Sequence, residues 1–341
     1  MNIIGIDLAK NTFSVCVMSE RGKVLIRRTV SRGRLFEYVL QQGDGIVAME
    51  ACGGAHYWGR RFREAGFEVR LIAAQFVKPF VKSNKNDELD AEAICEAASR
   101  KQMRFVSLRS EWQQDIQNVH RVRERMVKQR TGLCNELRGL LLEYGIIIPK
   151  GITALRRALP EILDREHSRS ALWRETFLEL FEELHGLDKR IAKLDERLEQ
   201  LARDCEQCQR LLKIPGVGVL TATAVTAAVG DIREFKNGRQ FAAWLGLVPS
   251  QHSTGGRTKL GRISKRGDRY LRKLLILGAR SRGLSIGRSK KQDYTSLWML
   301  AVKERRGLNR ALVAMANKTA RTVWYVLAKD VEFREYQPLA A

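Results

Sequence analysis

The sequence predicts a mixed α/β domain followed by two largely helical regions. Apolar strand-like runs alternate with amphipathic stretches up to residue 106. Residues 107–213 are charged and nearly free of Gly and Pro outside one break, and 214–341 open on a helix–glycine turn–helix pattern and become strongly basic.

In the first region, NIIGIDLA (2–9), TFSVCVMS (12–19) and KVLIRRTV (23–30) read as three consecutive strands joined by short turns, an antiparallel meander. The helix-like GRLFEYVLQQ (33–42), the buried-looking strand GIVAMEA (45–51), the helix-like HYWGRRFREAG (56–66) and the strand EVRLIAA (68–74) follow. The order β-β-β-α-β-α-β implies one mixed sheet flanked by helices.

The second region predicts two long helices separated by a turn at 144–160, YGIIIPKGITALRRALP. Phe177, Leu180, Leu184, Leu187, Ile191, Leu194, Leu198, Leu201, Cys205, Cys208 and Leu212 follow steps of three and four, a coiled-coil stripe expected to form a helical hairpin or a dimer seam. That phase makes Cys205 and Cys208 seam residues instead of metal ligands. The six cysteines are scattered among apolar neighbours, which excludes a disulfide framework.

Charge narrows the partner. The 341 residues carry 61 Lys and Arg against 38 Asp and Glu, a net charge of +23, as befits a protein whose partner is a polyanion such as nucleic acid. No apolar run of about 20 residues and no signal peptide is present, so the chain is expected to be cytoplasmic and not to span a membrane. From Arg257 to Lys291 thirteen Lys or Arg face one acid, Asp268, and Arg257, Lys259, Arg262, Lys265, Arg266, Arg269, Arg272 and Lys273 are expected on phosphate. Gly216 and Gly218, in IPGVG, suit a phosphate at a helix start, in a turn that resembles a helix-hairpin-helix element.

A carboxylate inside the apolar strand around Asp7 is costly to desolvate unless a cation or base compensates it. Glu50 ends another apolar strand, and Asp87 and Asp90 stand three apart at the start of a helix, so four acids can converge on Mg²⁺ or Mn²⁺ for phosphoryl transfer. Singly, each has a plainer role as a helix cap, a strand-end charge or a solvated first-turn acid. In the third region, SQHSTGG (250–256) reads as a polar loop presenting the hydroxyls of Ser250, Ser253 and Thr254 beside His252.

Gly5-Ile6-Asp7, the strand-ending Glu50 and KNDELDA (85–91) resemble the D-E-D-D tetrad of a ribonuclease-H-like, Holliday-junction-resolvase (RuvC-like) domain. Together with Ser-Thr-Gly-Gly and Ile-Ser-Lys-Arg-Gly-Asp within 239–280, they resemble insertion-sequence transposases of the D-E-D-D class, related to the pilin-gene invertase and guided by a bridge or seeker RNA. The resemblance implies a RuvC-like domain (1–106), a coiled-coil oligomerisation region (107–213) and a C-terminal transposase domain (214–341). It further implies catalysis by Asp7, Glu50, Asp87 and Asp90 with a metal ion and a serine nucleophile, Ser253, with Thr254 the alternative. The implied partners are DNA donor and target sites, a structured noncoding guide RNA and further copies of the chain, as dimer or tetramer, at the nucleoid of a prokaryotic cell. In that family the sheet domain of one subunit and the serine domain of another form a composite site. A metal-dependent junction-resolving endonuclease and a non-catalytic nucleic-acid-binding regulator are the competing readings.

Overall fold

The computed structural model describes residues 1–81, 87–166, 169–286 and 293–335, with the side chains of Asp87 and Glu88 outside the description. The chain divides into two compact units, residues 1–111 with 229–231, and residues 112–228 with 232–341.

The first unit is built on strands β1 (Asn2–Asp7), β2 (Thr12–Met18), β3 (Val24–Ser31), β4 (Gly45–Glu50), β5 (Glu68–Ile72) and β6 (Phe105–Val106), with helices α1 (Leu35–Leu40), α2 (Ala55–Glu64), α3 (Ala74–Val77) and α4 (Asp87–Ser99) between them. The sheet order is β3-β2-β1-β4-β5-β6. β1, β2 and β3 are antiparallel neighbours, whereas β4 joins β1 and β5 joins β4 in parallel. The predicted strand and helix order is therefore observed, and α3, α4 and the two-residue β6 extend it.

Strand alternation sorts the core into two faces. Ile4 and Ile6 of β1 and Val47 and Met49 of β4 pack with Leu35, Val39, Trp58 and Phe62 of α1 and α2. Ile3, Ile46 and Ala48 pack on the other face with Ala91, Ile94, Cys95 and Ala98 of α4.

The second unit contains α5 (Glu111–Leu142, whose first residue belongs to the first unit), α6 (Ile152–Arg165), α7 (Ala171–Asp204), α8 (Glu206–Leu212), α9 (Val219–Ala228), α10 (Gly238–Trp244), the hairpin β7 (Pro249–Thr254) and β8 (Arg257–Ile263), α11 (Arg269–Ile286), α12 (Tyr294–Arg306) and α13 (Leu308–Lys329). The leucine stripe of α7 is buried within the chain: Phe177, Leu184, Leu187, Ile191 and Leu194 share one core with Met126, Leu133, Leu137 and Leu141 of α5 and with Leu155 and Leu159 of α6. Arg123 pairs with Asp195, and Arg130 with Asp188 at 3.0 Å, so the two helices run antiparallel with ion pairs seven residues apart on each. Of the two expected outcomes, hairpin or dimer seam, this buried stripe makes the hairpin.

Two sequence expectations need correction. The stretch expected to turn the chain at 144–160 instead begins α6 at Ile152, because Leu155, Leu159 and Leu163 recur every four residues and bury against α5 and α7 even with Pro160 inside the helix. The stripe does not continue as one helix to Leu212: Cys205 is extended (φ −110°, ψ 111°) and α8 turns to pack on α9, where the Cys208 thiol lies 3.4 Å from the Thr226 hydroxyl. Cys205 thus ends α7 instead of lining its seam.

One buried polar contact ties α5, α9 and α11 together. His120, 3% exposed, lies 3.0 Å from Tyr270 Oη through Nδ1 and 3.0 Å from Thr223 Oγ1 through Nε2. Thr223 donates its own hydroxyl to the Val219 carbonyl at 2.7 Å, so it accepts from Nε2–H, and Nδ1 accepts from Tyr270. Burial, reinforced by nearby Arg123, lowers the His120 pKa from 6.5 to about 4. The folded pKa lies below the unfolded one, so the stability this neutral imidazole confers is complete above pH 6.5 and is lost as pH falls towards 4, on the order of 3 kcal/mol in all. Denaturant midpoints measured from pH 7 to pH 4 are expected to fall less steeply in His120→Gln than in the parent.

Candidate active site

The acidic residues are placed by the strand period. Asp7 ends β1 and Glu50 ends β4, two parallel neighbours whose register pairs Gly5 with Ala48 and Ile6 with Met49. Alternation puts Asp7 on the face of Ile3 and Gly5, and Glu50 on that of Ile46 and Ala48, which is the face covered by α4. Asp90, half-buried, lies in the first turn of α4, one residue before Ala91.

Gly5 makes this arrangement geometrically available. A Cβ there would lie 2.5 Å from the Ala91 carbonyl oxygen and 2.6 Å from Cys95 Sγ, so the absent side chain lets α4 lie flush on β1. The Cys95 thiol fills the seam, buried and donating to the Cys16 carbonyl at 3.3 Å.

The carboxylates feel one another. Burial, followed by the charge of Asp90, raises the Glu50 pKa. Just beyond Glu50, burial and then the charges of Glu50 and Asp7 raise that of Cys52. Asp7, Glu50 and Asp90 therefore share one electrostatic neighbourhood, while Lys85, Asn86 and the Asp87 side chain lie outside the described residues. Among the described residues no three His, Cys, Asp or Glu side chains are drawn close enough to enclose a cation. The donor set is nonetheless of the hard, all-oxygen kind that suits Mg²⁺ or Mn²⁺, and a divalent cation would relieve the repulsion that Glu50 experiences.

In the second unit, SQHSTGG is a hairpin where the sequence suggested a loop. Gly255 (φ +57°) and Gly256 (φ +76°) both take the left-handed backbone, which closes a two-residue turn with the twist that antiparallel strands require. Ser253 lies opposite Thr258 and shares its face with Gln251, whose side-chain amide donates to Ser253 Oγ at 2.7 Å. Thr254 and His252 alternate to the other face, across from Arg257 and Lys259. Ser253 and Thr254 are exposed, and Ser250 instead donates to the Arg262 carbonyl at 3.2 Å.

Arg257, Lys259, Arg262, Lys265, Arg266, Arg269 and Lys273 are exposed, along the hairpin and the start of α11. Arg272 departs from this set: it is 9% exposed and donates to the Leu245 carbonyl at 3.0 Å, because its place in α11 faces the core and not solvent. Lys273 is partly engaged, 3.3 Å from Glu124. The single acid of the run caps α11, Asp268 accepting from Tyr270 N–H at 2.7 Å and Leu271 N–H at 2.9 Å. Arg288, Lys290 and Lys291 lie outside the described residues. Gly216 (φ +87°) packs against the backbone of α11 at Gly278, whereas Gly218 is exposed and its carbonyl accepts from Thr221 and Ala222 at the start of α9.

Comparison with known proteins decides the family. A D-E-D-D, IS110-type transposase family matches residues 4–146, and the family described as "Transposase IS116/IS110/IS902 family" matches residues 208–295. A probable family 20 transposase of Pseudomonas aeruginosa is 48% identical, covering 97% of this chain and 98% of its own length. The transposase for insertion sequence element IS1111A of Coxiella burnetii is 46% identical over 98% of this chain and 92% of its own, and that for IS1328 of Yersinia enterocolitica 40% over 98% of each. The chain belongs to the IS116/IS110/IS902 transposase family. Members are enzymes that cleave DNA and transfer its strands. Among the described residues of this transposase, no helix is long and apolar enough to cross a membrane.

Sequence reasoning did not single out Gln251 as a partner of Ser253 or Arg272 as a core residue. Two consecutive glycines between polar segments could have signalled the hairpin, and with it the i, i+2 pairing of Gln251 and Ser253. Nothing local marks Arg272 as different from Arg269.

Gly5→Ala is expected to displace α4 and lower strand cleavage at least tenfold while the secondary-structure content by circular dichroism stays near that of the parent. Glu50→Gln is expected to raise Tm by roughly 1–3 °C in the absence of metal, since it removes a buried repulsion. Mg²⁺ should raise Tm in the parent and not in that variant, as followed by thermal denaturation with and without the ion.

Proposed function

We propose that this transposase cuts and rejoins insertion-sequence DNA through a covalent phosphoserine formed by Ser253, with a divalent cation held by Asp7, Glu50, Asp87 and Asp90. The observation that carries the reading is the strand-end placement of Asp7 and Glu50 on one face beside Asp90, in a chain that also presents Ser253 at an exposed basic hairpin. The sheet order, with three antiparallel strands followed by two parallel ones, supports a ribonuclease-H-like, RuvC-like first domain.

Ser253 Oγ attacks the phosphorus and gives up its proton, the bond from phosphorus to one flanking sugar oxygen breaks, and that oxygen takes up a proton and leaves as a hydroxyl. Attack by a hydroxyl of another strand reverses the step, restoring serine and a phosphodiester without consuming a nucleotide cofactor. Gln251 fixes the Ser253 side chain by donating to its oxygen, leaving the hydroxyl proton free to depart. A bound divalent cation would supply Lewis acidity and neutralise charge at the phosphate. Arg257, Lys259, Arg262, Lys265, Arg266 and Arg269 hold neighbouring phosphates.

A structured noncoding RNA is proposed as guide, on the strength of the family resemblance and the net charge of +23, with action at the nucleoid in the cytoplasm. Assembly into a dimer or tetramer is supported by apolar residues left exposed toward one end of the α5–α7 hairpin, Leu142, Ile147 and Leu172 among them.

The protein incubated with Mg²⁺, its element's RNA and junction DNA should yield a covalent protein–DNA adduct on denaturing gels. Ser253→Ala and Asp7→Asn are expected to abolish the adduct and Thr254→Ala to retain it. Metal-dependent cleavage without an adduct would replace this mechanism with a resolvase-type hydrolysis by water.

A further inference from the structure

We propose that a basic, aromatic-lined cleft along α13 is a second nucleic-acid site, one that holds an unpaired strand. The cleft has a volume of about 2240 Å³ and lies among α13, α12, the start of α10 and the base of the β7–β8 hairpin, all within the second unit. Small-molecule pockets occupy roughly 300–1,000 Å³, so this space is of the size for a polymer segment.

Its charge is unspent. Arg239, Arg262, Arg310 and Arg321 line the cleft and are exposed, and among the described residues no ion pair engages them. Arg282 is different, held by Asp293 at 2.7 and 2.8 Å, and at the rim Glu332 is committed to Lys213. On α13, Arg310 and Arg321 lie on one helical face, about 16 Å apart at the helical rise of 1.5 Å per residue, with Asn317 between them giving one amide proton to the Leu247 carbonyl at 3.2 Å and keeping the other. That is a track of donors along an elongated ligand.

Aromatic rings distinguish an unpaired strand from a duplex. Tyr325 follows Arg321 by one turn and is 54% exposed, and the half-buried Trp298 carries Lys318 Nζ 4.9 Å from its ring centroid. A duplex presents phosphates outward and hides its base faces, so cations alone suffice to hold it. Rings set among cations inside a cleft match bases whose faces are free to stack, and such stacking tolerates any sequence. The occupant is therefore an unpaired stretch of RNA or of displaced DNA, with the same phosphate and base chemistry in either. The proposal adds a binding site to the nucleic-acid reading above and is independent of the Ser253 chemistry.

The test uses the full-length protein and fluorescence anisotropy with a mixed-sequence 20-nucleotide DNA strand, the matching RNA strand and the DNA duplex. Tyr325→Ala is expected to weaken single-strand binding about fivefold or more and to leave duplex binding within about twofold, whereas Tyr325→Phe keeps parent affinity. The Arg310→Ala/Arg321→Ala double variant should reduce the slope of log affinity against log salt by about 1.4, the value for two single-strand phosphate contacts. Ser253→Ala should bind single strands as the parent does, so loss of the covalent adduct and loss of this site are separately visible. A larger effect on one strand type than the other assigns the occupant as that type. Unchanged single-strand affinity in a folded Tyr325→Ala protein, or equal weakening of strand and duplex, would overturn the proposal.

Discussion

The close approach of α4 to β1 at Gly5 is the constraint on which the rest of the first unit depends. A helix carrying any acid near its start can be laid on a sheet, but this one descends until its Ala91 carbonyl and Cys95 thiol occupy the space of a missing Cβ. Asp90 is then delivered toward the strand ends where Asp7 and Glu50 emerge, and burial together with the charge of Asp90 raises the Glu50 pKa. The small residues Ala91, Ala97 and Ala98 of α4 extend the same close packing along the helix. Geometry at one glycine thus brings the charge of Asp90 to bear on Glu50.

A chain of net charge +23 that gathers acids at the ends of two central strands divides its labour by sign. The acidic strand ends repel a phosphate until a cation intervenes, whereas the β7–β8 hairpin and the start of α11 attract one unaided. The lone acid of that basic run does not dilute the attraction, because Asp268 spends its carboxylate on the N–H groups of Tyr270 and Leu271. The same helix is anchored from beneath by the Tyr270 hydroxyl on neutral His120, so the basic surface rests on a buried polar contact between three helices.

Much of this was legible in the sequence where one period dominates. The strands of the first unit show alternation or short apolar runs, and their order follows directly; the seam residues of α7 show steps of three and four and do bury as a stripe. Legibility failed where a local pattern met a tertiary demand. Cys205 continues the stripe by spacing, yet packing of α8 on α9 ends the helix there. Arg272 shares its chemistry with Arg269 and Lys273, yet only its position on α11 faces the core. SQHSTGG has loop composition, and its pairing with RTKLGRI emerges only when both glycines take positive φ.

The sequence by itself determined the acids, the hydroxyls, the charge and the strand and helix periods, because each is a property of residue type and spacing along one chain. Only the tertiary structure decided that Asp7 and Glu50 stand side by side with Asp90, and that Ser253 and Thr254 face opposite ways. The same holds for the leucine stripe, which is satisfied within the chain. These outcomes depend on which strand lies beside which and how close a helix can come, and such distances are set by packing between segments far apart in sequence.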